Sequence, residues 1–298
     1  MNKVILTSLL LTLSSVQSYS QESPVIADGA ELQLISDSFS FTEGPAVDQY
    51  GNVYFTDQPN NRILKWSTHN GLNSFINESL RSNGLFVDND GNLLAAADEK
   101  NQLIRINPDT SITVLIDNFK GKRLNGPNDI WVDSKGGIYI TDPYYQRPWW
   151  THNRSEIKEQ VYYFSPDSLL FVVASDIVKP NGIIGSADGK TLFVADIGDN
   201  KTYSYTINED GSLADRTLFT NLGSDGMTLD NLGNLYLTGN GVTIFNPQGE
   251  QIEKISIPED WTANVTFGGF EQDLLFITAS KSLYTLKMKV KGIKKYEF

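Results

Sequence analysis

The chain has 298 residues, 40% of them apolar, and carries 24 Lys and Arg against 36 Asp and Glu for a formal charge of −12. That length suits one large domain or two small ones with an ample core, and the acidic balance argues against nucleic acid as a partner. Cysteine is absent, which excludes disulfides and thiolate zinc sites and leaves stability to packing.

The first element in chain order is residues 1–20. Lys3 leads an apolar run from Val4 to Leu13, and small polar residues follow, with Ser18 and Ser20 placed before Gln21 as at a cleavage site. The segment reads as a secretory signal peptide, since a membrane span needs about 20 apolar residues. Its removal takes Lys3 alone, so 23 basic residues face 36 acidic ones and the mature chain, 21–298, carries −13. A periplasmic or secreted protein is expected, with no membrane contact after cleavage and no cysteine for a lipid anchor.

Beyond Gln21, apolar runs of four to eight residues alternate with Gly, Asn, Asp and Pro, and no 3.6-residue periodicity stands out. One unit recurs: AVDQYGNVYFTD (46–57), FVDNDGNLLAAAD (86–98), WVDSKGGIYITD (131–142), GSADGKTLFVAD (185–196), TLDNLGNLYLTG (228–239) and a looser NVTFGGFEQDLLFITA (264–279). Each is a strand, an Asp/Gly turn and a second strand. The turn glycines Gly51, Gly91, Gly136, Gly189 and Gly233 are spaced by 40, 45, 53 and 44 residues, close to a four-stranded propeller blade. The expected fold is an all-β, six-bladed propeller forming a single domain over 21–298. The last blade has about three strands of its own, and the early segment ELQLISD (31–37) is expected to fill its open edge and close the ring.

Counting eight residues back from each turn glycine reaches Glu43, Asn83, Asn128, Asn181 and Asp225, and aligning the looser sixth unit reaches Asn264. All are oxygen-bearing. In a radially repeated fold such equivalent positions lie on one circle about the axis. Two carboxylates and several amide oxygens are hard donors that suit Ca²⁺, or Mg²⁺ and Mn²⁺, better than Zn²⁺. A competing reading takes the Asn-Gly and Asp-Gly pairs as turn formers only; Glu43, a poor turn residue, does not fit it.

TEGP (42–45), RLNGPNDI (123–130), KPNGI (179–183) with SADGKTLFVAD, and SDGMTLD (224–230) resemble the senescence-marker-protein/gluconolactonase family, which includes the regucalcin-like proteins. The resemblance covers the mature chain. It implies a divalent metal, commonly calcium, held at the channel mouth by Glu43, Asn181 and Asp225, with Asn128 as a fourth ligand or a substrate contact. It also implies hydrolysis of sugar lactones and, in more distant relatives, of esters or organophosphates.

A lactone needs its carbonyl polarised and a water delivered, which a cation with open positions can do. Asp225 is the candidate acceptor of the water's proton; Asp129, Asp98 and Asp196 compete for that role, and neither His69 nor His152 falls on the register. Substrate contacts are expected from Asn83, Asn128 and Asn264 and from the stretch DPYYQRPWWTHNRSEIKEQ (142–160), which widens the third repeat. There Tyr144, Tyr145, Trp149 and Trp150 offer flat faces for a sugar-like ring, and Arg147 with Arg123 could hold a carboxylate or hydroxyls. The same aromatics could equally pack on the propeller's own surface. Alternatives to the lactonase are an esterase or phosphotriesterase of this fold, and a binding propeller with structural calcium.

Overall fold

The computed structural model describes residues 22–293; the expected signal peptide lies outside the described residues. Twenty-four strands, β1–β24, sort into six antiparallel four-stranded sheets. Blade 1 is β2–β5 (Thr42–Val47, Val53–Asp57, Arg62–Ser67, Gly71–Asn77) and blade 2 is β6–β9 (Ser82–Val87, Leu93–Ala97, Gln102–Ile106, Ile112–Ile116). Blade 3 is β10–β13 (Ile130–Val132, Ile138–Asp142, Gln160–Phe164, Leu170–Ala174) and blade 4 is β14–β17 (Pro180–Gly185, Thr191–Asp196, Lys201–Ile207, Leu213–Thr220). Blade 5 is β18–β21 (Met227–Leu229, Leu235–Gly239, Gly241–Phe245, Gln251–Ile255). Blade 6 is β22–β24 (Thr262–Gly268, Leu274–Ala279, Ser282–Lys287), completed by β1 (Gln33–Ser36) on the far side of β24. Among the described residues the only helical turn is Gln58–Asn60, and no helix is long and apolar enough to cross a membrane.

The repeat sequence explains each blade locally. The Asp that opens the first turn accepts backbone N–H groups across it: Asp48 from Tyr50 and Asn52, Asp133 from Lys135 and Gly137, Asp230 from Leu232 and Asn234, each at 2.8–2.9 Å. These side chains do the work of a backbone turn and fix hairpin register. Apolar residues of the middle strands fill the space between blades, as Phe55, Tyr139, Tyr236 and Phe276 do, all fully buried, each contributing roughly 1.5–3 kcal/mol by burial.

The Asp closing the second strand has a different task. Asp57 accepts from the N–H groups of Ser40 and Phe41, Asp142 from Asn125 and Gly126, and Asp196 from Val178 and Lys179. Each thereby pins the segment that leads into its own blade's innermost strand. Asp196, a competing base by sequence, is one of these caps. Asp98 stands at the same place in blade 2 but binds the side chains of Gln58 and Arg147 instead.

Candidate functional site

Glu43, Asn83, Asn181 and Asn264 lie at the start of their blades' innermost strands, and Asn128 and Asp225 stand just before theirs. The space beside each of them selects the next residue in the chain. A β carbon on Gly44 would fall 2.1 Å from the carbonyl oxygen of Asn83, one on Gly84 2.3 Å from that of Asn128, one on Gly182 2.5 Å from that of Asp225, and one on Gly226 1.9 Å from Cγ of Asn264. The glycines of EGP, NGL, NGI and DGM are therefore hub glycines, there because the next blade's key residue passes too close for a side chain. Turn formation is not their reason. Blade 3 breaks the pattern with Asp129, which places a third carboxylate in the hub.

Threonines of the second strands lock these approaches. Thr56 Oγ1 donates across to the carbonyl of Asn83 in blade 2 at 3.1 Å and Thr238 Oγ1 across to that of Ala263 in blade 6 at 2.8 Å, while Thr278 Oγ1 holds the Asn264 carbonyl within blade 6 at 3.1 Å.

Side chains then connect around the circle. Asn264 Nδ2 donates to Glu43 Oε2 at 3.2 Å and its amide also reaches the Asp129 carboxylate, while Asn264 Oδ1 accepts the N–H of Val265 at 2.8 Å. All of its polar atoms are spent bracing, so Asn264 holds two carboxylates in place. Asn181 Nδ2 donates to Tyr145 Oη at 3.0 Å, and the same amide bonds Asp225; its Oδ1 remains as an acceptor. Asp225 Oδ2 accepts Trp261 Nε1–H at 2.6 Å.

Three acids thus share one neighbourhood. Burial, and then the charges of Asp225 and Asp129, push the Glu43 carboxyl well above the usual carboxylate range. Burial pushes Asp129 up to about 7. Asp225 is also raised by burial, against the opposing donors Trp261 and Asn181 and the Arg147 charge. The Arg147 charge acts on Asp225, yet burial still raises all three carboxyls.

A divalent cation fits what is present. Asn83 is 4% exposed and its Oδ1 has no hydrogen-bond partner, an acceptor buried at a cost unless something electropositive faces it. Among the described residues no three His, Cys, Asp or Glu form a metal-binding group by themselves, so amide oxygens must complete the donor set. Carboxylates supplemented by amides are the ligands of a hard cation.

The 142–160 stretch lies over this end of the hub. It leans on blade 2 through Arg147 Nε to Asp98 Oδ2 at 2.6 Å, Trp150 Nε1 to the Asp98 carbonyl at 2.6 Å, and His152 Nε2 with Asn101 Oδ1 at 3.0 Å. Toward blade 4, Lys179 Nζ reaches the Tyr144 carbonyl at 3.2 Å. Tyr145 sits between two cations, with Lys179 4.6 Å and Arg147 5.5 Å from its ring centre, and Arg81 covers Trp149 at 4.6 Å. Burial lifts Asp98 to about 6 in spite of the Arg147 guanidinium.

The aromatics therefore divide between the two expectations. Trp150 is buried against Gly126, whereas Tyr145 reaches the hub through Asn181. Tyr144 pairs its hydroxyl with Gln146 on the exposed side. Arg123 spends Nη2 on the Asn153 carbonyl at 2.7 Å and serves the loop's own structure. His69 is exposed beside Thr68. Sequence reasoning did not single out Trp261 or Arg81. Trp261 stands three residues before Asn264, where the other blades place Ser40, Leu80, Asn125, Val178 and Leu222, so an aromatic at that register was the available signal.

Below the hub residues a cavity of about 630 Å³ runs along the innermost strands from Asp129 and Asn264 to the turns at Gln49, Asn89 and Asp188.

Comparison with known proteins places this architecture. The chain is 30% identical to a gluconolactonase of Zymomonas mobilis over 316 aligned positions, covering 94% of this chain and 88% of that protein. A solved gluconolactonase of Xanthomonas campestris superposes with a TM-score of 0.82 at 28% identity, covering 88% of this chain and 91% of that one. A regucalcin of Agrobacterium tumefaciens, described as a calcium-binding protein, shares the fold with a TM-score of 0.74 at 19% identity over 88% of this chain and 95% of that one. The family model for the SMP-30/gluconolactonase/LRE-like region matches residues 41–281, and the chain belongs to that family.

Proposed function

We propose that the protein is an exported, metal-dependent hydrolase that opens a sugar-derived lactone. The observation that carries this reading is the hub itself: Glu43, Asp129 and Asp225 held together by burial with raised proton affinity, beside the orphaned oxygen of Asn83. The similarity to gluconolactonases supports the substrate class.

Glu43, Asn128, Asn181 and Asp225, with the unpartnered Oδ1 of Asn83 as a further donor, are the residues that would hold a divalent cation, most simply Ca²⁺, and the ion would supply Lewis acidity toward the lactone carbonyl. The chain's own groups do the rest. Asp225, with its proton affinity raised by burial, takes the proton of the attacking water. The water oxygen bonds the carbonyl carbon, the ring C–O bond breaks, and the proton returns to the departing ring oxygen, giving a hydroxy acid. Tyr145 and Asn264 orient Asn181 and Glu43. Arg147, with only Nε engaged by Asp98, offers its remaining N–H groups to substrate hydroxyls or a carboxylate, and the 142–160 stretch with Trp149 limits water access. The leader at 1–20 is what supports export.

The test is turnover on gluconolactone, an aryl ester and a phosphotriester, before and after chelation and Ca²⁺ return. Lactone opening should dominate, disappear with chelator and return with Ca²⁺, and it should fail in Glu43→Ala, Asn181→Ala and Asp225→Ala variants that still fold. A wild type that binds Ca²⁺ but leaves lactones intact would overturn the assignment.

A further inference from the structure

We infer that Trp261 is a positioning residue that aims Asp225 at the hub centre through its indole N–H. The inference rests on the metal-dependent reading above and adds a group outside the six register positions.

Trp261 precedes the first strand of blade 6, at the same end of the hub as Glu43 and Asp225. Its side chain is 38% exposed and takes no part in the apolar clusters between blades. Core packing is therefore not its purpose. Its backbone is tied down twice, the N–H donating to Ser280 Oγ at 3.3 Å and the carbonyl accepting from Ser280 Oγ–H at 3.2 Å. The indole lies beside Gly239, where even a β carbon would stand 3.6 Å from its six-membered ring. The one polar atom of the side chain donates to Asp225 Oδ2 at 2.6 Å.

That bond matters because without it the Asn181 amide alone would hold the Asp225 carboxylate. It belongs to blade 5, and its carboxylate is gripped from both flanking blades, by the Asn181 amide of blade 4 and by the indole ahead of blade 6. A carboxylate with two side-chain donors in fixed places has one orientation. Outer partners of this kind tune ligand geometry and are worth about 10–100-fold in metal affinity or activity. Indole N–H is a donor that cannot accept, so it favours the ionised carboxylate without ambiguity of direction.

The deciding variant is Trp261→Phe, which keeps an aromatic side chain and removes the N–H together with part of the indole's bulk. Protein stripped with chelator is titrated with CaCl₂ by calorimetry, metal-free melting temperatures are compared, and kcat and KM for gluconolactone are measured. We expect Ca²⁺ affinity to fall at least about tenfold, kcat to fall by a similar factor with a smaller change in KM, and the metal-free protein to melt cooperatively only a few degrees below wild type. Trp261→Ala, which also removes the ring, should add a rise in KM. Wild-type Ca²⁺ affinity and kcat in Trp261→Phe would overturn the inference and leave the metal site standing. A wild type that takes up no divalent cation would overturn both.

Discussion

Gly226→Ala tests the close packing of the hub directly. The new β carbon would stand 1.9 Å from Cγ and 2.0 Å from Oδ1 of Asn264, whereas carbon atoms in contact keep about 3.5–4.0 Å. Asn264 would have to retreat by roughly 1.5–2 Å, which breaks its 3.2 Å bond to Glu43 Oε2. Overpacking costs about 1–3 kcal/mol, and losing a hydrogen bond to a charged group about 1.5–3 kcal/mol more, so about 3–5 kcal/mol is at stake. Urea unfolding followed by tryptophan fluorescence measures it. Lactone hydrolysis reads the second consequence, a fall in kcat/KM of about 100-fold for an ångström-scale displacement. The control is Gly91→Asn: this turn glycine has φ +81° and open space around it, a conformation Asn tolerates, so stability and activity should stay near wild type. If Gly226→Ala unfolded within about 0.5 kcal/mol of wild type and kept full activity, close packing would not be what shapes the site.

Asp129→Asn addresses charge. Its folded carboxyl, raised by burial from 3.8 to about 7, holds a proton more tightly than the unfolded one, so in chelator this group's contribution is present below about pH 4 and is lost as pH rises through about 7. Three pK units correspond to about 4 kcal/mol. Guanidinium unfolding at pH 5, 6, 7 and 8 should show a flatter profile in the variant, and a profile parallel to wild type would refute the assignment. Asp98→Asn weakens the 2.6 Å pair with Arg147 and should raise KM for the lactone about tenfold, equivalent to about 1.4 kcal/mol, with little change in melting temperature; an unchanged KM counts against Arg147 as a substrate contact. Asp142→Ala strips the acceptor from the buried N–H groups of Asn125 and Gly126 and should cost about 2–4 kcal/mol, measured in the same unfolding assay.

The fold was legible because the repeat is short-range: an Asp, a glycine and two apolar strands recur, and the distance back to the hub is constant. The circle that joins Glu43 to Asp225 follows from that register alone. Two things were hidden. The hub glycines look like turn glycines in sequence, and only the approach of the next blade's backbone at Gly84 or Gly226 separates the two uses. The span of the 142–160 stretch depends on partners such as Asp98, 49 residues from Arg147, and no local pattern announces which aspartate has given up its capping duty. Asp129 was partly visible, as the residue standing where its counterparts have glycine.

Blade 6 is assembled from the two ends of the chain, β1 beside β24, and the same incoming segment runs on through Phe39, whose N–H bonds Lys281, to Thr42, which bonds Ser280 and Ser282. Glu43 is the next residue. Its place at the hub is therefore set by a clasp between the termini, so a chain shortened to begin at residue 43 would retain every side-chain oxygen of the site and yet lose the Phe39 and Thr42 bonds that anchor its most buried acid. Circular permutation that joins the two ends and reopens the chain within the exposed residues 208–210 would make that clasp covalent.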